Sequence, residues 1–548
     1  MEYLANFLNA VIVLPFTAGD ASENQHVSTY LRPHDGSVSG IIILSSVLVI
    51  AFLAMFGIRL VDANVNKTKP YFTMHSYLYV TIILSIVVFI AHFIIHRVNR
   101  ADRSRKADAI AKLKLGFLWI FTSGSILYAF VKIIRIPCKE NIVNQYRSVG
   151  CIDKNSTYYN GYVEANISFH CTQILFYFLQ SLFIHFFIRG CFKNSWIVYY
   201  SLVLIVLANI SQWAHYFSGV YQDKGTRIYN LNCSISNYSI DSCYGETVLI
   251  KIEPYLTPVE MEYFLLSMIF IAELWPSNNS CTHEVNVLEL DLANEYTPFK
   301  SSTNRLTRVC WSKSVRTTLC VICVVILFLP CYIFGYFASA ESEQKNKTVN
   351  VRMKTADILY DMFLSLIKTT FVVISFYMIS KSSYFRPLQR KEGFHFHHKM
   401  IIASFLGSIG YLSLIIFSSI HGEKANLLIA QKVLTIIELY FQLICILQLN
   451  NYKKYQRGVG EYIYLALSIF NLCDWIDDSF FGAVSVYDNE ALQYVYDTAT
   501  QRHITNFLFP FLIFFRFESF VFIYGTFRQT LSNGIFIEST EHLLFDEI

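Results

Sequence analysis

Two glutamates lie in long apolar runs, where a carboxylate is costly. Glu262 and Glu518 each follow a proline by eight residues, Pro254 and Pro510. A charge at mid-membrane depth costs at least about 3 kcal/mol and marks an ion path, a proton relay or a paired structural charge. Two carboxylates brought together in a low dielectric cannot both ionise cheaply, so such a pair can hold and pass one proton. Arg516 is two residues from Glu518 and therefore off its helix face. Lys368 lies within another apolar run, where a carboxylate partner is expected. Gln180, Asn209 and Tyr263 make one set of polar groups in apolar surroundings, and Gln442, Asn471 and Asp478 make a second. Lone amides also serve as hydrogen-bond glue between membrane helices.

Other polar residues have plainer readings. Trp213 and Trp475 read as packing anchors, and Asp474 and Asp477 as residues near the outer surface. The run His395-Phe-His-His398 lacks companion ligands and reads as a solvated helix start, so no metal centre is assigned. No phosphate-binding glycine loop, His-Glu-x-x-His or nucleophile elbow occurs, which leaves an enzyme unsupported and implies no cofactor.

These residues are positioned by membrane helices. Of 548 residues, 54% are hydrophobic and only 15% are charged, against about 25% charged in soluble proteins. Twelve stretches are long and apolar enough to cross a bilayer: 40–60, 73–96, 114–136, 169–188, 194–215, 256–275, 315–338, 357–380, 399–419, 430–449, 460–481 and 503–527. The fold expected is an all-α membrane protein of twelve transmembrane helices in two pseudo-symmetric six-helix halves. The boundaries are a tail at 1–38, an N-terminal domain at 39–275, a linker at 276–314, a C-terminal domain at 315–530 and a tail at 531–548. The net charge of +4 suggests no nucleic-acid partner.

Basic residues collect in the even-to-odd connections, for example Arg97, Arg100, Lys112 and Lys114 after span two, and Arg386, Arg390 and Lys391 before span nine. By the positive-inside rule those connections and both termini are cytosolic. Six glycosylation sequons, at Asn66, Asn155, Asn166, Asn232, Asn237 and Asn346, then face outward, while Asn278 faces inward and should be silent. Cys138 and Cys151 share one outer loop with Cys171 at its edge, and Cys233 and Cys243 share another, as candidate disulfides; the other cysteines should be free.

The halves repeat. Gln180 and Gln442, Asn209 and Asn471, and Trp213 and Trp475 are each separated by 262 residues. Gly124-Ser-Ile-Leu-Tyr128 echoes Gly407-Ser-Ile-Gly-Tyr411, and the Pro254–Glu262 spacing repeats as Pro510–Glu518. An even number of spans per half predicts domains related by an axis along the membrane normal.

Several segments resemble the otopetrin proton channels. They are Lys112 to Tyr128, Leu179-Gln180, Leu207-Ala-Asn-Ile-Ser-Gln-Trp213, Glu253-Pro-Tyr-Leu-Thr-Pro-Val-Glu-Met-Glu-Tyr263, Asn471-Leu-Cys-Asp-Trp-Ile-Asp-Asp-Ser-Phe480 and Pro510-Phe-Leu-Ile-Phe-Phe-Arg-Phe-Glu-Ser519. The resemblance covers spans three to twelve. It implies a plasma-membrane homodimer that moves protons, is gated by external acid and is sensitive to zinc. The partners expected are protons, membrane lipid and a sterol. It carries Gln180, Asn209 and Tyr263 onto polar positions of the N-domain interior, Gln442 and Asn471 onto their C-domain counterparts, and Glu262 onto the family glutamate. The family's histidine in span twelve is Glu518 here. His215 and His503 bound matching outer connections and are candidates for sensing external pH or zinc; Asp223, Glu253 and His421 are further acid-sensing candidates. The competing functions are a secondary transporter of the major-facilitator type, whose loop glycines are missing from Arg100-Ala-Asp-Arg-Ser-Arg-Lys, and a non-conducting receptor or scaffold.

Overall fold

The computed structural model describes residues 39–47, 68–98, 109–148, 158–188, 192, 196–219, 244–275, 313–340, 347–381, 396–420, 425–450, 459–481, 488, 491–492, 495–496 and 498–545. Among the described residues there is no strand. A helix at 39–47, α1, is followed by α2 (Thr68–Val98), α3 (Ala109–Ser148), α4 (Tyr158–Phe187), α5 (Trp196–Gly219) and α6 (Tyr244–Glu273). Then come α7 (Lys313–Ala340), α8 (Lys347–Lys381), α9 (Phe396–Ser419), α10 (Ala425–Asn450), α11 (Val459–Ile476) with a π turn at Asp477–Phe481, and α12 (Thr498–Phe545).

Ten of these helices are long and apolar enough to cross a bilayer. The two exceptions have different causes. The first expected span, 40–60, is described only over 39–47. Helix α11 has 18 residues, and Glu461 and Asp474 lower its apolarity. The expected linker at 276–314 and the tail at 1–38 fall almost wholly outside the described residues.

The chain forms two compact units. The first comprises 1–107, 118–251 and 263–305; the second comprises 108–117, 252–262 and 306–548. In the first, α2 packs on α4 and α5, and the Phe89 ring stands 5.9 Å from Phe176 and 5.2 Å from Phe183. In the second, α12 packs on α9, α10 and α11, while α7 and α10 flank α8. Gly407 of α9 lets Phe511 of α12 approach so closely that an added methyl would stand 2.5 Å from its ring. Small residues allow such approaches in membranes, where packing rather than water release holds helices together.

Helix α7 shows how sequence period becomes orientation. Val315, Leu319, Ile322, Ile326, Leu329 and Ile333 recur every three or four residues and are exposed, as one helix stripe. Its opposite face buries Val324, Phe328 and Cys331 against Leu364, Ala466, Phe470 and Cys473. Of the ten candidate spans, α6 and α12 are the most enclosed, with 78% and 72% of their apolar windows buried against 17–50% for the other eight. They are also the helices that carry the repeated proline–glutamate spacing.

Candidate functional site

The interior of the second unit holds a knot of charges contributed by four helices. Lys368 Nζ of α8 lies 2.7 Å from Asp474 Oδ2 of α11 and 3.0 Å from Glu438 Oε1 of α10. Arg516 Nη1 of α12 lies 2.7 Å from the same Glu438 oxygen and 2.9 Å from the same Asp474 oxygen. Arg516 Nε adds a longer approach of 3.8 Å to Asp478 Oδ2 in the π turn. Glu438 and Asp474 therefore each touch both cations. Buried ions need that degree of compensation, since desolvation costs several kcal/mol per ion.

Helix spacing explains the convergence. On α8, Asp357, Asp361, Ser365 and Lys368 follow at four, four and three residues and form one polar stripe. On α10, Glu438 and Gln442 are one turn apart. Asn471 and Asp474 share a face of α11, and the π turn adds Asp478 to it. A π turn inserts one residue per turn and re-aims side chains, a device frequent at functional sites.

The α8 stripe continues away from the knot. Gln431 Nε2 donates to Asp361 Oδ2 at 2.8 Å, and Cys331 Sγ lies 3.0 Å from Asp361 Oδ1. Lys432, next in sequence to Gln431, pairs with Asp488 at 2.7 Å, and the Tyr411 hydroxyl donates to Asp488 at 3.4 Å.

Glu262 and Glu518 both belong to the second unit and are near enough for their charges to interact, with Trp475 beside Glu262. Glu518 Oε2 accepts from Lys114 Nζ at 3.2 Å. Glu518 and Arg516 thus serve separate clusters, as their two-residue spacing requires. The buried carboxylate oxygens Glu262 Oε2, Glu438 Oε2 and Glu518 Oε1 have no hydrogen-bond partner among the described residues.

The repeat is visible in the bonding of each unit taken alone. In the first unit Gln180 Nε2 donates to Asn209 Oδ1 at 3.0 Å, and Asn209 Nδ2 donates to the Ile205 carbonyl at 2.8 Å. In the second, Gln442 Nε2 donates to Asn471 Oδ1, and Asn471 Nδ2 donates to the Leu467 carbonyl at 2.8 Å. The units differ in charge. The 262-residue offset carries Glu438 onto Phe176 and Asp474 onto Gln212. At these positions the first unit bonds neutral groups: Gln173 Nε2 donates to Gln212 Oε1 at 2.8 Å, and the Tyr263 hydroxyl donates to the Tyr177 carbonyl at 3.1 Å.

A family model, Otopetrin, matches residues 235–517, just over half of the chain. The chain belongs to the otopetrin family. The match spans α6 to α11 and the whole charged knot, and ends one residue before Glu518. A search of curated proteins found no match. Otopetrins form an ion-channel family rather than an enzyme family, and the apolar helices of this otopetrin are those of a multi-pass membrane protein.

Several expectations change. Asp474 is not a surface residue; it is buried and paired with Lys368 and Arg516. Lys114 is not a free loop charge but a buried counterion of Glu518. Trp475 packs as expected, buried against the Phe117, Phe480 and Phe517 rings, and it also lies beside Glu262. His398 is buried, with its ring 6.3 Å from Phe522, so it is no solvated helix start. Cys171 is an exposed free thiol, not a disulfide partner, whereas Cys320, Cys323, Cys331, Cys445 and Cys473 are free as expected. Asn166 is buried within α4, which leaves no room for a glycan on the packed helix.

The other sequons, Asn66, Asn155, Asn232, Asn237 and Asn346, lie outside the described residues. His215 and His503 fall on α5 and α12, but their side chains are outside the described set.

Sequence reasoning missed Glu438, Asp357, Asp361 and the role of Lys114. The signal was present: Glu438, Asp357 and Asp361 are carboxylates within apolar spans, subject to the argument applied to Glu262.

Proposed function

We propose that this protein is a proton-selective channel of the plasma membrane, controlled by external pH, that works as a homodimer with both termini in the cytosol. The observation that carries this reading is the set of unsatisfied buried carboxylate oxygens at Glu262, Glu438 and Glu518. A buried acceptor without a donor calls for a proton or a bridging water. Groups that accept one proton at a time, joined by water within an apolar wall, conduct protons without a pore wide enough for other ions.

In this reading the knot of Lys368, Arg516, Glu438 and Asp474 holds the path's fixed charges, with Asp478 at its margin. Gln442 and Asn471 orient the wall one turn from Glu438. Glu518 is held by Lys114, so Glu262 is the freer member of the carboxylate pair and the better relay. Gln180, Asn209 and Tyr263 form the corresponding neutral path of the first unit. His215 and His503 remain the proposed sensors of external acid or zinc.

Whole-cell current under stepped external pH, with no permeant metal ions, tests the function. The current should reverse at the proton equilibrium potential, and Glu262→Gln should depress it at least about tenfold with surface expression unchanged. Transport that requires an organic solute would refute the channel reading, as would silence of surface-expressed protein across the pH range.

A further inference from the structure

We propose that Cys331, Asp357 and Asp361 form a binding site for a thiophilic divalent cation, Zn2+ or its analogues Co2+ and Cd2+. One ligand atom from each of the three residues lies within 4.8 Å of the other two. Around a tetrahedral zinc, with a sulfur ligand at about 2.3 Å and oxygens at about 2.0 Å, ligand atoms stand roughly 3.5 Å apart. The trio therefore needs to close by about an ångström at most, and Cys331 Sγ already lies 3.0 Å from an Asp361 oxygen.

Asp357 distinguishes this trio from an ordinary acidic patch. It is 8% exposed, and one of its carboxylate oxygens lies within 4.8 Å of both the Cys331 sulfur and an Asp361 oxygen. Its carboxylate faces Cys331 and Asp361, which bond to one another. The cations that act on the trio are committed elsewhere: Lys432 to Asp488, and Lys368 to Glu438 and Asp474. Asp477 at the start of the π turn adds further negative charge near all three residues. The surplus of negative groups is what a divalent cation would neutralise. A thiol alongside two carboxylates favours a borderline ion over Mg2+ or Ca2+, which take oxygen ligands alone.

The site lies away from His215 and His503 in sequence. Asp357 is ten residues from the α7–α8 side start of α8, so under the proposed topology the cation enters from outside. Binding displaces the thiol proton, and affinity should fall as the solution is acidified.

Titration of full-length protein in detergent with Co2+ tests the site, because a bound thiolate adds a sulfur-to-cobalt charge-transfer band. The wild type should show a saturable band. Cys331→Ser should lose it, and Asp357→Asn should weaken the affinity at least about tenfold, since even supporting partners of metal ligands contribute that much. Elution on size exclusion as for the wild type confirms folding, and if Cys331→Ser fails there the Asp357→Asn affinity decides. A band that survives in Cys331→Ser would assign the thiolate elsewhere, such as Cys320 or Cys323, and overturn the site. Absence of a band in folded wild type, or unchanged affinity in Asp357→Asn, would overturn it equally.

Discussion

The Lys114 ammonium lies 3.2 Å from a Glu518 carboxylate oxygen, and the two side chains are 8% and 5% exposed. They are 404 residues apart in the chain. Removing one member of a buried pair leaves an uncompensated charge, at a cost of about 3–5 kcal/mol. Lys114→Met and Glu518→Gln should each lower the melting temperature of the detergent-solubilised protein. The double variant should lose less than the sum of the two. Strict additivity would mean that the residues are not coupled.

Arg516 contacts Glu438 and Asp474 through one nitrogen and approaches Asp478 through another. Lysine is a point charge and cannot present that fork. Arg516→Lys should therefore retain surface expression better than Arg516→Met, yet reduce proton current several-fold. Patch-clamp current normalised to surface protein measures this. Full current in Arg516→Lys would show that only the net charge matters.

Gly407 has no space for a side chain, because an added Cβ meets Phe511 atoms at 2.5 and 2.7 Å, including the Phe511 Cβ. Overpacking typically costs about 1–3 kcal/mol. Gly407→Val should lower thermal stability, and Phe511→Ala should restore part of the loss. A harmless Gly407→Val would contradict the close α9–α12 approach.

Glycan mapping checks the orientation. Glycosidase treatment should shift the mass of peptides that carry Asn155, Asn232 or Asn237, while Asn166, buried in α4, should stay unmodified. A glycan at Asn278 would invert the topology.

The helices were legible because each needs about 20 apolar residues and little else. Glu262, Glu518, Arg516 and Lys368 were legible because charge is rare in such runs. Which charges pair was not legible. Lys368 meets Asp474 across 106 residues, and nothing local to either residue encodes the meeting. Lys114 shows the harder failure. It sits among loop cations in the sequence, and charge counting treats them all alike, but α3 begins early enough to bury it. Asp474 was misread because its sequence neighbourhood does not show that Lys368 and Arg516, on two other helices, reach it.

The paired amides separate architecture from conduction. Gln180 donates to Asn209, and Gln442 donates to Asn471, with the same atoms and the same 29-residue separation. Side-chain hydrogen bonds between membrane helices contribute about 0.6 kcal/mol on average and at most about 1.7 kcal/mol. Gln180→Leu with Asn209→Leu, and Gln442→Leu with Asn471→Leu, should therefore shift stability alike and little. Their effects on current should differ. Gln442 is one turn from Glu438, and Asn471 is three residues from Asp474, whereas the corresponding neighbours in the first unit are Phe176 and Gln212. Apolar side chains at 442 and 471 would dry the surroundings of a charged relay; at 180 and 209 they would dry only neutral groups. We expect the second pair of changes to reduce proton current at least about tenfold and the first to leave most of it. Equal losses from both would mean that protons cross both units, and a loss confined to the first would place the path away from the charged knot.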